Sequence, residues 1–378
     1  MALDIAIDGG HLGRRIGGDA TYLTGLLAGL ATINPPHRIT VFSPRPALAR
    51  PLLPRHPHFH LQPAGPRFTL LRNSVTLPLR TYRRYDVLHV LLYAPPISST
   101  PLVLYLPDLS FLTHPQFFPR RVALRLRWST LLGVHRATRI LTLSETSRRL
   151  LLKIYQLPSE RICVAYTGVD HAHFHPRSPS EIADVRHRLG LPPRYLLYVG
   201  NLHPRKNLSG LLREYALLLP RLRELLPPLV IAGLPWWDRT YLPRIIAQQQ
   251  LEQHILPLGW VDQADLPAVL CGATALIYPS LVEGFGLPPI EAMACGIPAI
   301  TLHTSVFPEI LDDAAVLANP APGGLADAIA EVVGRPEFAF QKSRTGLERA
   351  ARYRWEYHAA ITVRAYEQAA YAHGNRPL

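Results

Sequence analysis

Two glutamates lie eight positions apart in the stretch YPSLVEGFGLPPIEAMACGIPAI, residues 278–300. A strand-like run ends near Ser280, Glu283 falls in the turn that follows, and Pro288 suits the first turn of a helix that would carry Glu291. A carboxylate accepts hydrogen bonds from two neighbouring hydroxyls, which is what a sugar or a ribose offers. The pair therefore predicts a ligand with two diol groups, although a helix N-terminus that favours acidic residues would explain Glu291 alone.

Two adjacent cations, Arg205 and Lys206, follow the strand-like run YLLYVGN at residues 195–201. In open parallel sheets, ligands bind outside the carboxyl ends of the strands, and the sequence places these cations at such a strand-to-helix junction. Solvated surface cations are the ordinary alternative. Together with the two acids, the pair predicts a ligand whose phosphates lie between its two diol groups.

Gly17 and Gly18 form a second phosphate-binding candidate, because they precede a helix that begins near Asp19. Glycine lets the backbone approach a ligand closely, and the amides and dipole of a helix N-terminus favour a phosphate. The spacing is not that of a dinucleotide-binding fingerprint, and a flexible turn explains the two glycines equally well.

Short apolar runs alternate with helical patterns along the whole chain. Such alternation predicts parallel sheets with helical crossovers, hence an α/β fold. The series starts twice, which predicts two doubly wound domains joined by the polar, proline-bearing linker 170–180. The predicted strands are 3–8, 38–43, 86–91, 102–108 and 139–144 in the first series, and 195–201, 228–233, 254–259, 274–280, 297–302 and 314–319 in the second.

The net charge of +13 is confined to one half of the chain. Residues 1–175 hold 21 Lys and Arg against 8 Asp and Glu, whereas residues 176–378 hold 19 of each. The asymmetry predicts an anionic partner for the first half, and nucleic acid, acidic membrane lipid and a phosphorylated substrate are all candidates. Because almost all the cations are arginine, a biased base composition is the alternative explanation.

The stretch PRRVALRLRWSTLLGVHRATR, residues 119–139, places arginines beside Leu, Val and Trp128. Basic amphipathic helices of this kind lie on anionic membranes, yet the same pattern fits a core helix with snorkelling arginines. No apolar run is long enough to span a bilayer, and MALDIAIDGG does not look like a signal peptide. We therefore expect a cytoplasmic protein, with a peripheral position at the membrane as an option.

Metal and redox sites receive little support from the sequence. The three cysteines, Cys163, Cys271 and Cys295, are far apart in the sequence and lie in apolar runs, which is typical of reduced core thiols. The run HAHFH at residues 171–175 could suggest a metal site, but we interpret it as part of the polar linker.

Several of these motifs together resemble retaining glycosyltransferases of family 4, which have the GT-B fold. The likeness extends over essentially the full length, and its most specific elements are the Arg-Lys pair and the two glutamates with seven residues between them. The resemblance implies two Rossmann-like domains that face each other across a cleft. It assigns residues 1–172 to acceptor binding and 173–355 to donor binding, with a last helix at about 356–378 that packs back on the first domain.

The resemblance also implies a role for each candidate residue. Arg205 and Lys206 would hold the donor diphosphate, Glu283 would bind the transferred sugar and Glu291 the nucleotide ribose. Further donor contacts would come from the amides of Phe285, Gly286 and Leu287, from Gly17 and Gly18 over the diphosphate, and from Val261 beside the base, with Asp108 as a possible sugar or acceptor contact. No cofactor and no metal are expected, and the sequence has no Asp-x-Asp element.

The implied donor is a nucleoside diphosphate sugar, GDP-mannose before UDP-glucose, and the implied acceptor is a saccharide, free or lipid-linked. One departure is Pro107, where many members have a His that touches the donor sugar; proline has no side-chain donor or acceptor, so this departure bears on sugar orientation and rate. A sugar-nucleotide epimerase of the same fold and a non-catalytic protein that binds sugar nucleotides or nucleic acid are the alternatives. No nucleic-acid motif is present, and nucleic acid is not the expected partner.

Overall fold

The computed structural model describes residues 2–13, 17–236 and 238–374. It divides the chain into two compact units. The first consists of the residues up to Gly168 together with those from Tyr353 onward, and the second is Val169–Arg352. The domain limits at 172 and 355 drawn from the sequence lie close to these divisions, and the last helix belongs to the first unit.

A seven-stranded parallel sheet forms the centre of the first unit, in the order β3-β2-β1-β4-β5-β6-β7. Its five inner strands are buried along most of their length, as expected of a sheet that is covered on both faces. The strands are β1 (Asp4–Asp8), β2 (Arg38–Ser43), β3 (Phe59–Pro63), β4 (Val87–Leu91), β5 (Leu102–Tyr105), β6 (Arg139–Thr142) and β7 (Ile162–Val164).

The helices up to the end of the first sheet are α1 (Gly18–Ile33), α2 (Pro46–Ala49), α3 (Thr69–Leu71), α4 (Leu77–Thr81), α5 (Ser110–Thr113), α6 (Arg120–Arg136) and α7 (Glu145–Tyr155). A π-helical turn at Arg72–Thr76 joins α3 to α4. The 3-10 turns are Arg50–Leu52, Pro115–Phe117 and Ser159–Arg161. One apolar core contains Leu77 of α4, Val134 of α6 and Leu151 of α7. These three helices therefore pack on the same face of the sheet.

The second unit contains a six-stranded parallel sheet in the order β10-β9-β8-β11-β12-β13. Its strands are β8 (Leu196–Val199), β9 (Leu229–Ala232), β10 (Ile255–Gly259), β11 (Ala275–Tyr278), β12 (Ala299–Leu302) and β13 (Val316–Ala318). Its helices are α8 (Pro179–Leu189), α9 (Leu208–Ala216), α10 (Leu219–Leu222), α11 (Tyr241–Gln248), α12 (Leu266–Cys271), α13 (Leu287–Ala294), α14 (Phe307–Leu311), α15 (Gly324–Gly334) and α16 (Pro336–Ala350), with 3-10 turns at Pro204–Lys206, Arg223–Leu225 and Asp312–Ala314.

The last helix, α17 (Trp355–Gly374), packs against α1 in the first unit. The two helices approach each other closely because α1 carries glycine at the crossing. A Cβ at Gly25 would lie 2.0 Å from the Trp355 ring, and a Cβ at Gly29 would lie 2.3 Å from the Trp355 carbonyl oxygen. Alanine at either position would therefore push the helices apart.

The structure contains two strands that the sequence did not predict, β3 and β7, and they are the two edges of the first sheet. β3 is mostly exposed and lies in a stretch rich in His and Pro, and β7 has only three residues, so neither gives a clear apolar run.

The structure also brings together two cysteines that are far apart in sequence, since the Cys271 Sγ lies 3.5 Å from the carbonyl oxygen of Cys295. Among the residues described, no helix combines the length and the apolar character that crossing a bilayer requires.

Candidate active site

The candidate site lies where two neighbouring strands of the second sheet end. β8 and β11 pair in parallel, with Leu196 opposite Ala275, so the loops that follow them meet at one edge. The backbone N–H of Leu281 donates to the carbonyl oxygen of Arg205 at 2.8 Å, and the Ser280 hydroxyl donates to the same oxygen at 3.2 Å. These bonds hold the Arg-Lys turn against the loop that carries Glu283.

The turn itself is short and internally capped. His203 precedes the 3-10 turn Pro204–Lys206, and its Nδ1 accepts a hydrogen bond from the backbone N–H of Arg205 at 3.2 Å. His203 is buried and its ring packs edge-on against that of Trp236. The backbone of the turn that carries both cations is therefore held in place.

Arg205, Lys206 and Glu283 form one buried cluster. The Arg205 Nη1 donates to Glu283 Oε2 at 2.7 Å and to the Val282 carbonyl oxygen at 2.8 Å. The Lys206 ammonium donates to Glu283 Oε1 and contacts the Tyr278 hydroxyl. Glu283 Oε1 also accepts from the Ser280 hydroxyl at 2.6 Å and from the Tyr278 hydroxyl at 3.1 Å.

The cluster keeps Glu283 ionised at every ordinary pH. Burial on its own would raise the pKa of this carboxyl, but the charges of Arg205 and Lys206 and the hydrogen bonds outweigh burial and lower the pKa to about 2. Two cations against one carboxylate leave a positive excess at the carboxyl edge of the sheet. Such an arrangement attracts an anion.

Glu291 lies in a different environment, on α13 and apart from this cluster. Its side chain is partly exposed and has no hydrogen-bond partner among the described residues, and burial by the surrounding protein raises its pKa to about 7. The two glutamates that are similar in sequence thus differ in charge state near neutral pH. The lowered pKa of Glu283 favours its ionised form at neutral pH, whereas the raised pKa of Glu291 brings its titration close to neutrality.

The start of α13 combines a sterically required glycine with backbone amide groups that lack an acceptor among the described residues. Gly286 has φ 91°, and a Cβ there would lie 2.8 Å from the Phe307 ring, so both the backbone angle and the space require glycine. The amide groups of Gly286 and Leu287 have no hydrogen-bond acceptor among the residues that the structure describes. They remain available at a helix N-terminus, where anions are favoured.

The other candidate residues lie elsewhere. Phe285 is buried in the loop before α13, and Val261 is buried in the loop after β10, the edge strand two positions from β8. In the first unit, Gly17 and Gly18 are exposed at the start of α1, and a Cβ on either would meet no atom within 4 Å. Their predicted contacts with a donor stay predictions.

Asp108 and Pro107 follow β5 in the first unit. The Asp108 Oδ1 accepts from the backbone N–H of Ser110 at 2.9 Å and from its hydroxyl at 2.7 Å, so this carboxylate shapes the turn that starts α5. Its predicted contact with sugar or acceptor stays a prediction. In the loop after β1, His11 Nδ1 lies 3.4 Å from Asp19 Oδ2.

Three residues of the site were not identified from the sequence. Tyr278 and Ser280 bind Glu283, and their spacing of two at the end of a strand was an available signal, because alternate residues share a face. The Ser305 hydroxyl accepts from the Glu283 backbone N–H at 3.0 Å and donates to the Glu283 carbonyl at 3.1 Å. No local pattern indicated that contact.

Comparisons with known proteins identify the family of the chain. A family model described as "Glycosyl transferases group 1" matches residues 180–353, and one described as "Glycosyltransferase Family 4" matches residues 16–173. The chain is 32% identical over 262 residues to O-antigen chain mannosyltransferase B of Escherichia coli. The aligned region covers 69% of this chain and 68% of that protein.

Solved structures show the same fold. The sucrose-phosphate synthase of Thermosynechococcus elongatus superposes with a TM-score of 0.78 at 20% identity, over 98% of this chain and 100% of that one. The Anabaena protein HepE in complex with UDP-glucose superposes with a TM-score of 0.71 at 19% identity, over 99% and 100%. The expected α/β class with two Rossmann-like parallel-sheet domains of the GT-B type is confirmed. The chain belongs to the group 1 and family 4 glycosyltransferases.

Proposed function

We propose that this glycosyltransferase moves a hexose, mannose before glucose, from a nucleoside diphosphate sugar to an acceptor hydroxyl with retention at the anomeric carbon. The proposed acceptor is a saccharide, free or lipid-linked, in cell-envelope or exopolysaccharide synthesis. The observation that carries the proposal is the cluster in which Arg205 and Lys206 flank the buried Glu283. The likeness to an O-antigen mannosyltransferase supports mannose as the sugar.

The cations supply the main stabilisation of the transition state. Cleavage of the bond between sugar and phosphate places negative charge on the departing diphosphate, and Arg205, Lys206 and the amides of Gly286 and Leu287 stabilise that charge more than the ground state. Since two cations and amide dipoles provide what a metal ion would otherwise provide, the proposed reaction needs no metal and no cofactor.

Glu283 has two tasks in this proposal. Its Oε1 already accepts from Lys206, Ser280 and Tyr278, so this oxygen orients the Lys206 ammonium. Its Oε2 accepts from Arg205 and has a second lone pair for a hydroxyl of the transferred sugar. Loss of this carboxylate would therefore disturb the binding of both the diphosphate and the sugar.

The proposed route to retention is a front-face displacement. The bond from the anomeric carbon to the diphosphate oxygen breaks, the bond from that carbon to the acceptor oxygen forms on the same face, and the acceptor proton passes to the departing phosphate. No side-chain nucleophile is required. Glu291 holds the ribose of the nucleotide in this scheme, with Val261 beside the base.

The test is donor turnover in EDTA by the wild type and by Arg205→Ala and Lys206→Ala. We expect full wild-type activity in EDTA and a loss on the order of 10² or more in each variant. Arg221→Ala is a matched control, because Arg221 is half-exposed and pairs with Asp327 on the surface of the same unit. Full activity in both site variants would refute the proposal.

The donor is identified by thermal shifts with GDP, UDP and their sugars, since a ligand that binds only the folded protein raises its apparent stability. The larger shift for GDP and GDP-mannose is the expected result.

The comparisons give no support to the epimerase or to a non-catalytic binding protein. Analysis of products without acceptor separates the two enzymes, because an epimerase would release a changed sugar nucleotide.

A further inference from the structure

A groove on the first unit lies outside any element used in the proposed reaction. It has a volume of about 610 Å³, which is within the range of about 300–1,000 Å³ typical of ligand pockets. Its walls are apolar and come from three helices: Phe111 and Leu112 of α5, Leu124 and Leu131 of α6, and Ile154 of α7. The groove could therefore accommodate a hydrocarbon chain.

Three polar groups line the same groove. Arg120 and Arg127 project from α6, and neither forms an ion pair with a described residue. The Tyr155 hydroxyl is buried and has no hydrogen-bond partner within the described part of the chain. Arg127 and Tyr155 line the same groove; burial raises the pKa of Tyr155, and the positive charge of Arg127 opposes that rise. Arginine side chains and a hydroxyl donor are groups that bind the oxygens of a phosphate ester.

Beside the groove, α6 exposes a row of large apolar side chains. Leu124, Trp128 and Leu132 recur every four residues and are 56%, 64% and 54% exposed. Thr130, Gly133 and Val134 are the buried residues of this helix, so the exposed row is not its core-facing side. The row leaves apolar surface in contact with water, which soluble monomers keep small unless it binds something.

A second apolar row lies on the segment of the first unit that contains α3, the π-helical turn and α4. Phe68, Leu71, Val75 and Leu79 are 67%, 47%, 43% and 72% exposed, while Leu77 enters the core. Because Leu77 and Val134 belong to the same core, both segments cover one face of the sheet. The two exposed rows are therefore carried by one layer of the first unit.

This part of the chain is strongly basic. No Asp or Glu occurs between Asp19 and Asp86, and Asp108 is the only one between Asp86 and Glu145. Arginines therefore greatly outnumber acids in the part of the chain that carries both exposed rows. Nucleic acid would match this charge but not the apolar groove, and a protein partner would have to be both acidic and apolar over the whole layer. An acidic lipid bilayer offers both properties at once.

We propose that this layer of the first unit docks on a bilayer that contains acidic phospholipid, with one lipid chain in the groove and its phosphate bound by Arg127 and Tyr155. The exposed leucines, Phe68 and Trp128 enter the boundary between headgroups and chains. The proposal does not depend on which sugar is transferred, and it uses none of the residues of the candidate active site.

Flotation with phosphatidylcholine vesicles, with and without phosphatidylglycerol, tests the docking. Binding is expected only when phosphatidylglycerol is present, and it is expected to weaken as salt screens the arginines. Leu124→Glu combined with Leu79→Glu is expected to reduce the bound fraction at least tenfold. Phe340→Glu is the matched control, because Phe340 is 67% exposed on α16 of the second unit, and it is expected to bind like the wild type.

Ala123→Trp tests the groove separately, since Ala123 lines it and a large side chain there would occupy the space of the lipid chain. We expect a several-fold loss of vesicle binding with an unchanged thermal shift by the nucleotide donor, which shows that the variant is folded. Arg127→Gln with Tyr155→Phe is expected to lower the preference for phosphatidylglycerol.

Trp128 reports the depth of insertion. Phosphatidylcholine with brominated chains, mixed with phosphatidylglycerol, is expected to quench its fluorescence, and most of the quenching is expected to disappear in Trp128→Phe. No binding to acidic vesicles at low salt, equal binding to neutral vesicles, or normal binding by the double glutamate variant would each overturn the docking. Unimpaired vesicle binding by Ala123→Trp would refute the proposal that a lipid chain occupies the groove. None of these results alters the test of donor turnover.

Discussion

The two units hold their cations in different ways. In the second unit, Arg205 and Lys206 have side-chain exposures of 18% and 9% and share the buried Glu283. In the first unit, α6 carries exposed arginines that form no ion pair with any described residue, namely Arg120, Arg121, Arg125, Arg127 and Arg136. Buried charges need partners whose positions the fold fixes, whereas exposed charges cost little and attract anions at a distance. Charge alone thus indicates an anionic partner in both units, and burial distinguishes a preorganised site from a docking surface.

Removal of the shared carboxylate should destabilise the protein more than any other substitution considered below. Glu283→Ala leaves Arg205 and Lys206 partly buried without their anion, and breaking a buried ion pair in this way costs about 3 to 5 kcal/mol of unfolding free energy. The measurement is urea denaturation of the second unit within the full chain, followed by tryptophan fluorescence.

Asp327→Ala is the control for this prediction. Asp327 pairs with Arg221 at the surface, with side-chain exposures of 69% and 50%, and exposed pairs of this kind contribute about 0 to 1 kcal/mol. If the two substitutions had equal effects on stability, the distinction between buried and exposed charges would fail.

A buried ion pair also occurs in the first unit, so the effect of burial can be separated from the effect of the unit in which a charge lies. Arg72 and Asp8 are almost completely buried, and Arg72 Nη2 donates to Asp8 Oδ2 at 3.3 Å. Asp8→Ala is expected to cost about 3 kcal/mol, and Asp4→Ala, which breaks the exposed pair with Arg38, less than about 1 kcal/mol. Thermal denaturation of both variants gives the comparison. A small effect of Asp8→Ala would mean that Arg72 keeps adequate solvation without its partner.

The two glutamates of the candidate site are expected to respond differently to pH. The pKa of Glu291 is raised to about 7 by burial, while that of Glu283 is held at about 2. A carboxylate accepts hydrogen bonds from ribose hydroxyls, so affinity should increase as Glu291 ionises. Between pH 6 and pH 8 the ionised fraction rises from roughly a tenth to roughly nine tenths, which allows up to about a tenfold gain in nucleotide affinity.

Titration calorimetry with GDP and UDP at several pH values measures this gain. The phosphate of the nucleotide also titrates in this range, so Glu291→Gln provides the necessary control. Any pH dependence of affinity that persists in Glu291→Gln is caused by titration of the nucleotide phosphate. An identical pH profile in wild type and Glu291→Gln would exclude Glu291 as the ribose ligand.

The sequence predicted the elements of the fold better than their arrangement. Apolar runs located all six strands of the second sheet, and they missed β3 and β7 because edge strands lack a fully buried run. The sequence also placed Arg205, Lys206 and Glu283 after strands. It could not show that they meet, because β8 and β11 are neighbours in the sheet although β9 and β10 lie between them in the chain.

Local sequence patterns also could not predict which individual side chains are buried. The two acids appeared equivalent in sequence, and only the packing around them separates their pKa values. The arginines of α6 left open whether the helix was a core helix or a surface helix, and the exposure of Leu124, Trp128 and Leu132 favours the surface. The row that includes Phe68 and Leu79 was not recognised, because Pro78 and the π-helical turn interrupt the helical pattern.

Removal of exposed arginines on α6 should affect stability least. Arg121 and Arg125 are exposed on α6 and contact no acidic residue among those described, so Arg121→Gln with Arg125→Gln should change the unfolding free energy by no more than about 0.5 kcal/mol. The same variant should elute from a heparin column at lower salt, since removal of two charges weakens attraction to any polyanion. If the unfolding free energy fell by several kcal/mol, these arginines would have structural partners. Their charge would then stabilise the fold and would not be available to bind an anionic partner.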